Sequence, residues 1–246
     1  MIKRILIVGV TSAIGEQVAR ILAAHGAGFY LTGRDADRLQ AIAADLQIRG
    51  ASQATTERLD VTDRIALDGL VARAAQALGG LDTVLFASGL LPDQERANVE
   101  GTLLHETLEV NAVSAMAVLS EAANLFERQG QGQLVAIGSV AGDRGRAVNA
   151  VYGAAKGALE IFLSGLRQRL HAPGVKVLLV KPGFVDTPMT ADFRKGPLWA
   201  SAEQVARDIV RAMEKGRSVV YTPWFWRWIM LAIRHIPESL FVRLRF

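Results

Sequence analysis

The sequence predicts an α/β fold in which a doubly wound parallel sheet of about seven strands carries helices on both faces. Apolar runs rich in Ile, Val and Leu alternate with Ala-rich segments of helical spacing, which is typical of a parallel sheet. The runs are continuously apolar, as in Ile5-Leu6-Ile7-Val8, and this suits strands that helices cover on both sides. The predicted strands lie at residues 4–8, 28–32, 82–87, 133–138, 175–180 and 218–221, with a weaker strand at 55–59. Such a Rossmann-like sheet binds ligands beyond the carboxyl ends of its strands.

The length and composition indicate one domain. The 246 residues are 50% hydrophobic and 21% charged, which is enough for one large core. We expect residues 1–222 to form the Rossmann-like catalytic domain and residues 223–246 to form an amphipathic C-terminal extension of it. The chain has no cysteine, which excludes disulfides, thiol nucleophiles and cysteine-ligated zinc. The four histidines lie far apart without ligand spacing, so no metal site is predicted.

The basic character of the chain is concentrated near its C-terminus. Of the net charge of +4, residues 221–246 carry +3, because they contain four arginines and one glutamate. The rest of the chain is almost neutral, so a nucleic-acid partner is not predicted. The apolar run near the N-terminus is too short for a signal-peptide core, and we expect the protein in the cytoplasm.

A glycine-rich turn follows the first predicted strand directly. Gly9 can make a tight turn and Gly15 allows close packing of helix on strand, while the helix N-terminus offers free N–H groups to a pyrophosphate. Most such turns in proteins bind nothing, but the position after strand one favours the functional interpretation. The predicted cofactor contacts of this turn are Gly9, Thr11, Ser12, Ala13, Ile14 and Gly15.

The end of the second strand indicates which dinucleotide is bound. An acidic residue there would accept hydrogen bonds from a free ribose 2′-hydroxyl. Here Gly33 leaves room and Arg34 supplies a charged, planar fork suited to a 2′-phosphate, which favours NADP(H); the alternative is that Arg34 is a solvated loop charge. Asp60 and Val61 after the third strand are placed beside the adenine, although Asp60 could equally cap a helix starting near Thr62.

Candidate catalytic groups meet at the same sheet edge. Tyr152 and Lys156 stand four residues apart at a helix start, so that both project from one face. Ser139 follows a predicted strand, and two loops therefore bring together a hydroxyl, a phenol and an amine. Asn111 adds an amide inside an Ala-rich helix, where a buried polar group needs a reason.

With these residues the sequence resembles the short-chain dehydrogenase/reductase family over residues 3–222. The resemblance implies that Ser139 orients a substrate carbonyl, Tyr152 donates the proton and Asn111 holds a water in a proton relay. It implies that Lys156 binds the nicotinamide ribose and lowers the pKa of the phenol, which a neighbouring positive charge favours. The segment Pro182-Gly183-Phe184-Val185-Asp186-Thr187 matches the family's nicotinamide pocket, with Pro182, Gly183, Val185 and Thr187 as expected contacts.

Two positions depart from the family pattern. The middle glycine of the phosphate turn is Ala13 here, a change that a helix start accepts. Where many relatives carry Asn-Asn-Ala-Gly after the fourth strand, this chain has Phe86-Ala87-Ser88-Gly89. We expect Ala87, Ser88 and Gly89 to line the cofactor site, with Ser88 supplying the hydrogen bond of the missing asparagine.

The segment after Thr187 corresponds in the family to a mobile cover over the substrate. Its apolar residues either face an apolar substrate or anchor the cover to the core; they are Met189, Phe193, Leu198 and Trp199. Arg194 and Lys195 are interpreted as solvated charges, with an anionic substrate group as the alternative.

Seven of the sixteen aromatic residues fall within residues 221–246. Pro223 fits the start of a helix and Pro237 its end, giving about 13 residues or about 20 Å, too short to span a bilayer. Arg227 and Arg234 share one face, with Trp and Leu around the rest, a pattern typical of a helix lying in a membrane interface. The alternative is a subunit interface, since family members are usually homodimers or homotetramers. A tail of this kind resembles the family branch that reduces keto sugars on polyprenyl phosphate.

The leading hypothesis is therefore an NADPH-dependent reductase of a ketone on an amphiphilic substrate, either a lipid-linked keto sugar or a 3-oxoacyl chain. Such an enzyme could sit peripherally on the inner face of the cytoplasmic membrane. One alternative is a soluble reductase of small carbonyl compounds. Another is a dinucleotide-binding sensor without turnover, against which the intact Ser139, Tyr152 and Lys156 argue.

Overall fold

The computed structural model describes residues 3–244, so Arg245 and Phe246 of the predicted tail lie outside the described residues, as do Met1 and Ile2. Within 3–244 the strands are β1 (Arg4–Val8), β2 (Gly28–Gly33), β3 (Gln53–Arg58), β4 (Thr83–Phe86), β5 (Gln133–Ile137), β6 (Lys176–Pro182), β7 (Phe184–Asp186), β8 (Trp199–Ser201) and β9 (Val219–Thr222).

Seven of these strands form one parallel sheet in the order β3-β2-β1-β4-β5-β6-β9. The predicted fold class and the seven predicted strands are thereby confirmed, although β3 begins two residues earlier than expected. Chain order reverses between β1 and β4, which places a ligand crevice beyond the carboxyl ends of these two strands.

The continuous apolar runs are explained by burial on both faces of the sheet. Side chains alternate along a strand, so Ile5 and Ile7 of β1 enter one apolar cluster while Leu6 and Val8 enter the other. None of the four is accessible to solvent, because helices cover each face. The helices of residues 3–244 are α1 (Ala13–Ala23), α2 (Ala36–Ile48), α3 (Arg64–Leu67), α4 (Leu70–Ala77), α5 (Gln94–Val99), α6 (Gly101–Leu108), α7 (Ser114–Gln129), α8 (Ala150–Arg169), α9 (Ala202–Glu214), α10 (Trp226–His235) and α11 (Glu238–Phe241).

Two features were not expected from the sequence. Strands β7 and β8 form a small parallel sheet of their own, so the expected cover segment, residues 188–199, is a loop whose two ends are joined. Residues Glu109–Val113 form a π-helical turn between α6 and α7, where an ordinary helix was predicted. Such turns release backbone carbonyls from helical bonding and recur at functional sites.

The C-terminal helix α10 is shorter than predicted. It begins at Trp226 and not at Pro223, because residues 223–225 form a tighter turn in which the Trp226 N–H donates to the Pro223 carbonyl at 3.1 Å. Its end at His235 agrees with the stop predicted from Pro237. Trp226 and Met230 are buried against Val140, so this helix packs on the turn that follows β5. Across residues 3–244 we find no helix with the length and hydrophobicity that crossing a bilayer requires.

Candidate active site

The turn after β1 is tightly enclosed. Gly9 has φ of +83°, and its N–H donates to the Thr32 carbonyl at 3.0 Å. A Cβ on Gly9 would overlap the Ser88 hydroxyl, while a Cβ on Gly15 would lie 3.1 Å from that of Ala87. Ala87 and Ser88 therefore pack directly on this turn, and their small size is what brings the two loops together. Larger side chains at these positions would close the approach to the backbone.

The first turn of α1 offers an anion-binding site. The Ser12 hydroxyl caps the helix and accepts a hydrogen bond from the Gly15 N–H at 3.1 Å. The N–H groups of Ala13 and Ile14 belong to the first turn, where helical geometry supplies no acceptor. Together with the helix dipole they suit the pyrophosphate of a dinucleotide.

The ends of β2 and β3 carry two neighbouring arginines. Arg34 is exposed, and its backbone carbonyl accepts a hydrogen bond from the Arg58 Nε at 3.2 Å. A Cβ on Gly33 would lie 3.1 Å from the Thr11 methyl carbon, so the space beside Arg34 is bounded by Thr11. Arg58 was not predicted from the sequence, although its position at the last residue of β3, beside the end of β2, could have pointed to it.

Asp60 makes a local turn and does not cap a helix. Its Oδ1 accepts from the Thr62 N–H at 2.9 Å and from the Thr62 hydroxyl at 2.8 Å. The cap of α3 is Asp63, whose Oδ1 accepts from the Ile65 and Ala66 N–H groups, so the capping alternative for Asp60 is wrong. Hydrogen bonds from Thr62 and the charge of Arg34 lower the pKa of Asp60, against the opposing effect of burial. Val61 beside it is buried.

Ser139 lies on a turn that packs against α8 through backbone contacts. A Cβ on Gly142 would meet the Gly157 nitrogen at 2.9 Å, and a Cβ on Gly153 would meet the Ala141 carbonyl oxygen at 2.9 Å. The absence of side chains at these glycines lets the turn approach the helix. The Ser139 hydroxyl oxygen accepts from the Ala141 N–H at 3.1 Å, which fixes its rotamer.

Tyr152 and Lys156 stand on the first turns of α8, facing that serine. Burial raises the pKa of Tyr152 to about 12, while its hydrogen bond with Ser139 acts in the opposite direction. Burial lowers the pKa of Lys156 to about 8. The Lys156 Nζ donates to the Ile137 carbonyl at 2.9 Å and lies 5.6 Å from the centre of the Tyr152 ring. At neutral pH the phenol is thus protonated, and a cation stands beside it. The expected lowering of the Tyr152 pKa by Lys156 is not found, because the effect of burial on the phenol dominates.

Asn111 lies in the π-helical turn and is fully buried. Its Nδ2 donates to the carbonyls of Leu90 and Thr107 at 2.7 and 2.9 Å, and its Oδ1 accepts from the Leu90 N–H at 3.1 Å. A Cβ on Gly89 would lie 3.2 Å from this Oδ1 and 3.8 Å from the Lys156 Nζ, so Gly89 leaves open the space between them. The side chain of Asn111 therefore organises the loop after β4, and the expected water relay stays a prediction.

The segment after β6 carries the residues expected at the nicotinamide. Pro182 ends β6, and Val185 is buried within β7. Thr187 begins a capped turn in which the Thr190 hydroxyl donates to the Val185 carbonyl at 2.6 Å. Gly183 lies directly against the Trp226 indole, a contact that sequence reasoning did not anticipate.

The apolar residues of the cover segment differ in their surroundings: some pack on the protein and others are exposed to solvent. Trp199 stacks on Phe184 with ring centres 5.3 Å apart, which favours the anchoring alternative for this residue. The Met189 Cε would lie 3.7 Å from a Cβ on Gly89, so this methionine reaches the site. Phe193 and Leu198 are exposed. The interpretation of Lys195 as a solvated charge needs refinement, because its Nζ pairs with Asp186 at 2.6 Å.

These contacts fit a nicotinamide dinucleotide. The α1 N-terminus would hold a pyrophosphate, the arginines at the ends of β2 and β3 would hold a ribose phosphate, and the space at Gly89 adjoins Lys156. The buried Thr32 hydroxyl has no hydrogen-bond partner within residues 3–244 and lies next to this crevice, one residue before Gly33.

Comparison with known proteins agrees with this geometry. The sequence pattern described as short chain dehydrogenase matches residues 3–197. The chain belongs to the short-chain dehydrogenase family. An uncharacterized oxidoreductase of Mycobacterium tuberculosis is 38% identical over 240 residues, covering 98% of this chain and 96% of the relative. An uncharacterized oxidoreductase of Streptomyces coelicolor is 35% identical over 250 residues, with the same coverage.

The fold is also that of a solved family member. A short-chain dehydrogenase from Sphingobium yanoikuyae, in complex with NADPH, superposes with a TM-score of 0.84 at 22% identity, covering 99% of this chain and 96% of that one. The predicted family and fold are confirmed, and this short-chain dehydrogenase is an oxidoreductase that depends on a nicotinamide cofactor.

Proposed function

We propose that this short-chain dehydrogenase is an NADPH-dependent reductase that converts a ketone on an amphiphilic substrate into an alcohol. The observation that carries the proposal is the pairing on α8 of the Tyr152 phenol with the buried Lys156, whose Nζ lies 5.6 Å from the ring centre, opposite the Ser139 hydroxyl. Such a pairing serves a proton donor, whereas a sensor that only binds a dinucleotide needs none.

Ser139, Tyr152 and Lys156 each have a separate role in reducing the carbonyl group. When bound, the reduced nicotinamide supplies a hydride to the carbonyl carbon. The Ser139 oxygen accepts from the Ala141 N–H, and its proton, which bonds with Tyr152 in the structure, would turn to hold the carbonyl oxygen of a substrate. Tyr152 gives its proton to that oxygen, which completes the alcohol, and the Lys156 cation stabilises the phenolate left behind. Asn111 keeps the loop beside Lys156 in place.

The phosphate-binding arginines support NADP(H) over NAD(H). Arg34 and Arg58 place two guanidinium groups at the ends of β2 and β3, where the adenosine ribose of a dinucleotide would lie. The strand end itself carries no carboxylate that would accept from a 2′-hydroxyl, since it is Gly33. The structural neighbour from Sphingobium yanoikuyae was solved with NADPH.

Apolar surface around the site supports an amphiphilic substrate, such as a lipid-linked keto sugar or a 3-oxoacyl chain. Met189, Phe193 and Leu198 on the cover segment are all exposed. On the neighbouring tail, Trp224 and Trp228 are 71% and 58% exposed. Isolated exposed apolar residues are ordinary, but a group of this size marks a contact surface.

Positive charge beside the exposed Trp224 supports contact with an anionic membrane surface. A groove of about 510 Å³ runs along the edge strand β9, and four cations line it against one carboxylate; they are Arg211, Lys215, Arg217 and Arg227. Cations around exposed tryptophans are typical of a helix at a membrane interface.

The decisive experiment compares the parent with Tyr152→Phe in NADPH-dependent reduction of a water-soluble ketone. We expect kcat to fall about 10² to 10⁴-fold, the worth of general acid catalysis, while NADPH binding is retained. Ser139→Ala should also lower kcat. If Tyr152→Phe keeps the parental kcat, Tyr152 is not the proton donor; if the parent binds NADPH and reduces no carbonyl compound, the sensor alternative is correct.

A further inference from the structure

A buried ionic cluster lies behind the candidate active site. Lys181, near the end of β6, is 2% exposed, and its Nζ forms ion pairs with Asp143 and Glu160. The Asp143 side chain is fully buried and accepts a second hydrogen bond, from the Tyr221 hydroxyl at 2.9 Å. One ammonium group therefore joins four separate segments of the chain.

Two of these segments carry the candidate catalytic side chains. Asp143 ends the turn that begins after Ser139, and Glu160 lies one helical turn beyond Lys156 on α8. The strands themselves bring the cluster close, because the Gly138 N–H donates to the Val180 carbonyl at 2.8 Å. Ser139 and Lys181 are therefore neighbours at the ends of β5 and β6.

The buried cluster contains one more negative group than positive groups. Two carboxylates, Asp143 and Glu160, meet the single ammonium of Lys181. Arg146 acts on Asp143, and Arg167 acts on Glu160, from outside the cluster. Burial opposes the charge on Lys181, but its hydrogen bonds with both carboxylates outweigh this and raise the pKa of Lys181. The ammonium is therefore charged at neutral pH.

Stability alone does not explain such a cluster. Desolvation of buried charges consumes most of their attraction, and replacing a buried ion pair by apolar residues is often neutral or stabilising. What buried charges supply here is a fixed geometry: removing one partner leaves the others unpaired, so only one arrangement of the four segments satisfies them all.

We propose that Lys181 is a positioning residue, which holds the Ser139 turn against α8 so that the hydroxyl of Ser139 and the phenol of Tyr152 meet at one carbonyl oxygen. The inference rests on the proposed function, since it assigns Lys181 an effect that passes through Ser139. Without the ammonium, Asp143 and Glu160 repel each other, and the turn moves away from the helix.

The test is a double-mutant cycle between Lys181→Met and Ser139→Ala, measured as kcat for a soluble ketone. Met matches the length of the lysine stem and removes the charge. We expect Lys181→Met to lower kcat about 10 to 100-fold at unchanged NADPH affinity, since small misplacements of reacting groups have effects of this size. In the Ser139→Ala background the further loss should nearly vanish, because the group being positioned is gone.

Arg4→Met is the matched control. It removes the cation from the ion pair with Asp82, at the amino ends of β1 and β4 and away from the candidate site. It should lower stability without changing kcat. If Lys181→Met lowers kcat by the same factor in both backgrounds, or does not lower it, the inference is wrong. If Ser139→Ala itself keeps the parental kcat, the proposed function fails instead.

A second variant covers the case in which Lys181→Met does not fold. Combining Lys181→Met with Asp143→Asn and Glu160→Gln leaves no charge in the cluster, so the variant can fold without unpaired ions. It still lacks the tie between the Ser139 turn and α8, and we expect the same loss of kcat. Parental kcat in this variant would overturn the proposal.

Discussion

The indole of Trp226 fills the space that a side chain on Gly183 would need. A Cβ on Gly183 would overlap the Trp226 Nε1, which is buried and has no hydrogen-bond partner among residues 3–244. The Phe184 ring meets the indole edge-on, with ring centres 5.2 Å apart. The tail helix is therefore seated by shape on the segment expected to line the nicotinamide pocket.

The first prediction follows from this contact: Gly183→Ala should displace Trp226 and destabilise the protein. Overpacking of this kind has effects of about 1–3 kcal/mol, and the fluorescence of the displaced indole should change. Gly165→Ala is the control, since nothing lies within 4 Å of its Cβ position in α8 and the change should stabilise by about 0.5–1 kcal/mol. Equal melting temperatures for Gly183→Ala and the parent would contradict the tight fit.

Lys156→Met should stabilise the folded protein at pH 7 while abolishing efficient reduction. Lowering the Lys156 pKa from 10.5 to about 8 disfavours folding by about 3 kcal/mol, and loss of the bond to the Ile137 carbonyl offsets about 1 kcal/mol of the gain. Between these two pKa values the unfolded chain binds more protons, so parental stability rises with pH across that window. The advantage of the variant should shrink from pH 8 to pH 10.5 in urea titrations; a constant advantage would refute the shifted pKa.

Cofactor preference should depend on both arginines at the strand ends. Arg34→Ala and Arg58→Ala should each lower the NADPH-to-NADH ratio of kcat/KM by about 10 to 100-fold, the worth of a charged hydrogen bond to phosphate. Arg38→Ala is the matched control, because that guanidinium already pairs with Glu16 at 3.2 Å. Gly33→Asp is unsuitable, since its Cβ would crowd Thr11. An unchanged ratio for Arg58→Ala would remove it from the phosphate site.

Arg144→Ala should loosen the tail. The Arg144 guanidinium donates to the carbonyls of Ile233 and Ile236 at 2.6 Å each, and to Glu238 at 2.7 Å. We expect faster amide hydrogen exchange in residues 226–241 with the sheet unaffected, because the carbonyls of Ile233 and Ile236 lose the Arg144 donor that ties them to the turn. Glu238→Gln tests the exposed ion pair alone and should have little effect. Equal exchange in Arg144→Ala and the parent would show that packing alone holds the helix.

Membrane contact predicts binding to vesicles of phosphatidylcholine and phosphatidylglycerol that weakens with added salt, because screening acts on the exposed arginines. Arg227→Glu with Arg234→Glu should reduce this binding in sedimentation with the vesicles, leaving reduction of a soluble ketone intact. Lys3→Glu with Arg128→Glu is the control, because it lowers the net charge equally. These two residues lie just before β1 and near the end of α7, away from the tail. If both pairs reduce binding alike, or the parent does not bind, the tail is not a membrane surface.

Most of the fold could be predicted because its signals are local. The apolar runs of β1 and β6 are continuous, and the turn from Gly9 to Gly15 stands where a dinucleotide fold requires it. Ser139, Tyr152 and Lys156 were found by their spacing, and the structure brings them to one place.

What could not be predicted depends on contacts between distant segments. Gly142 looks like any loop glycine until α8 is placed against it, and Arg58 acquires a partner only when β3 lies beside β2. In the sequence, Lys181 is an isolated charge in an apolar strand, because the two carboxylates that pair with it come from other parts of the chain. The start of α10 was misplaced at Pro223 because a proline can open either a turn or a helix.

The Arg144 contacts also bear on how the protein is made. They join residues 89 to 94 positions apart, and the later partners lie near the end of the chain. A ribosome releases the cofactor-binding half first, and the turn that bears Ser139 gains these restraints only after Glu238 has emerged. These contacts are therefore among the last to form as the chain leaves the ribosome, after every strand of the sheet has been made.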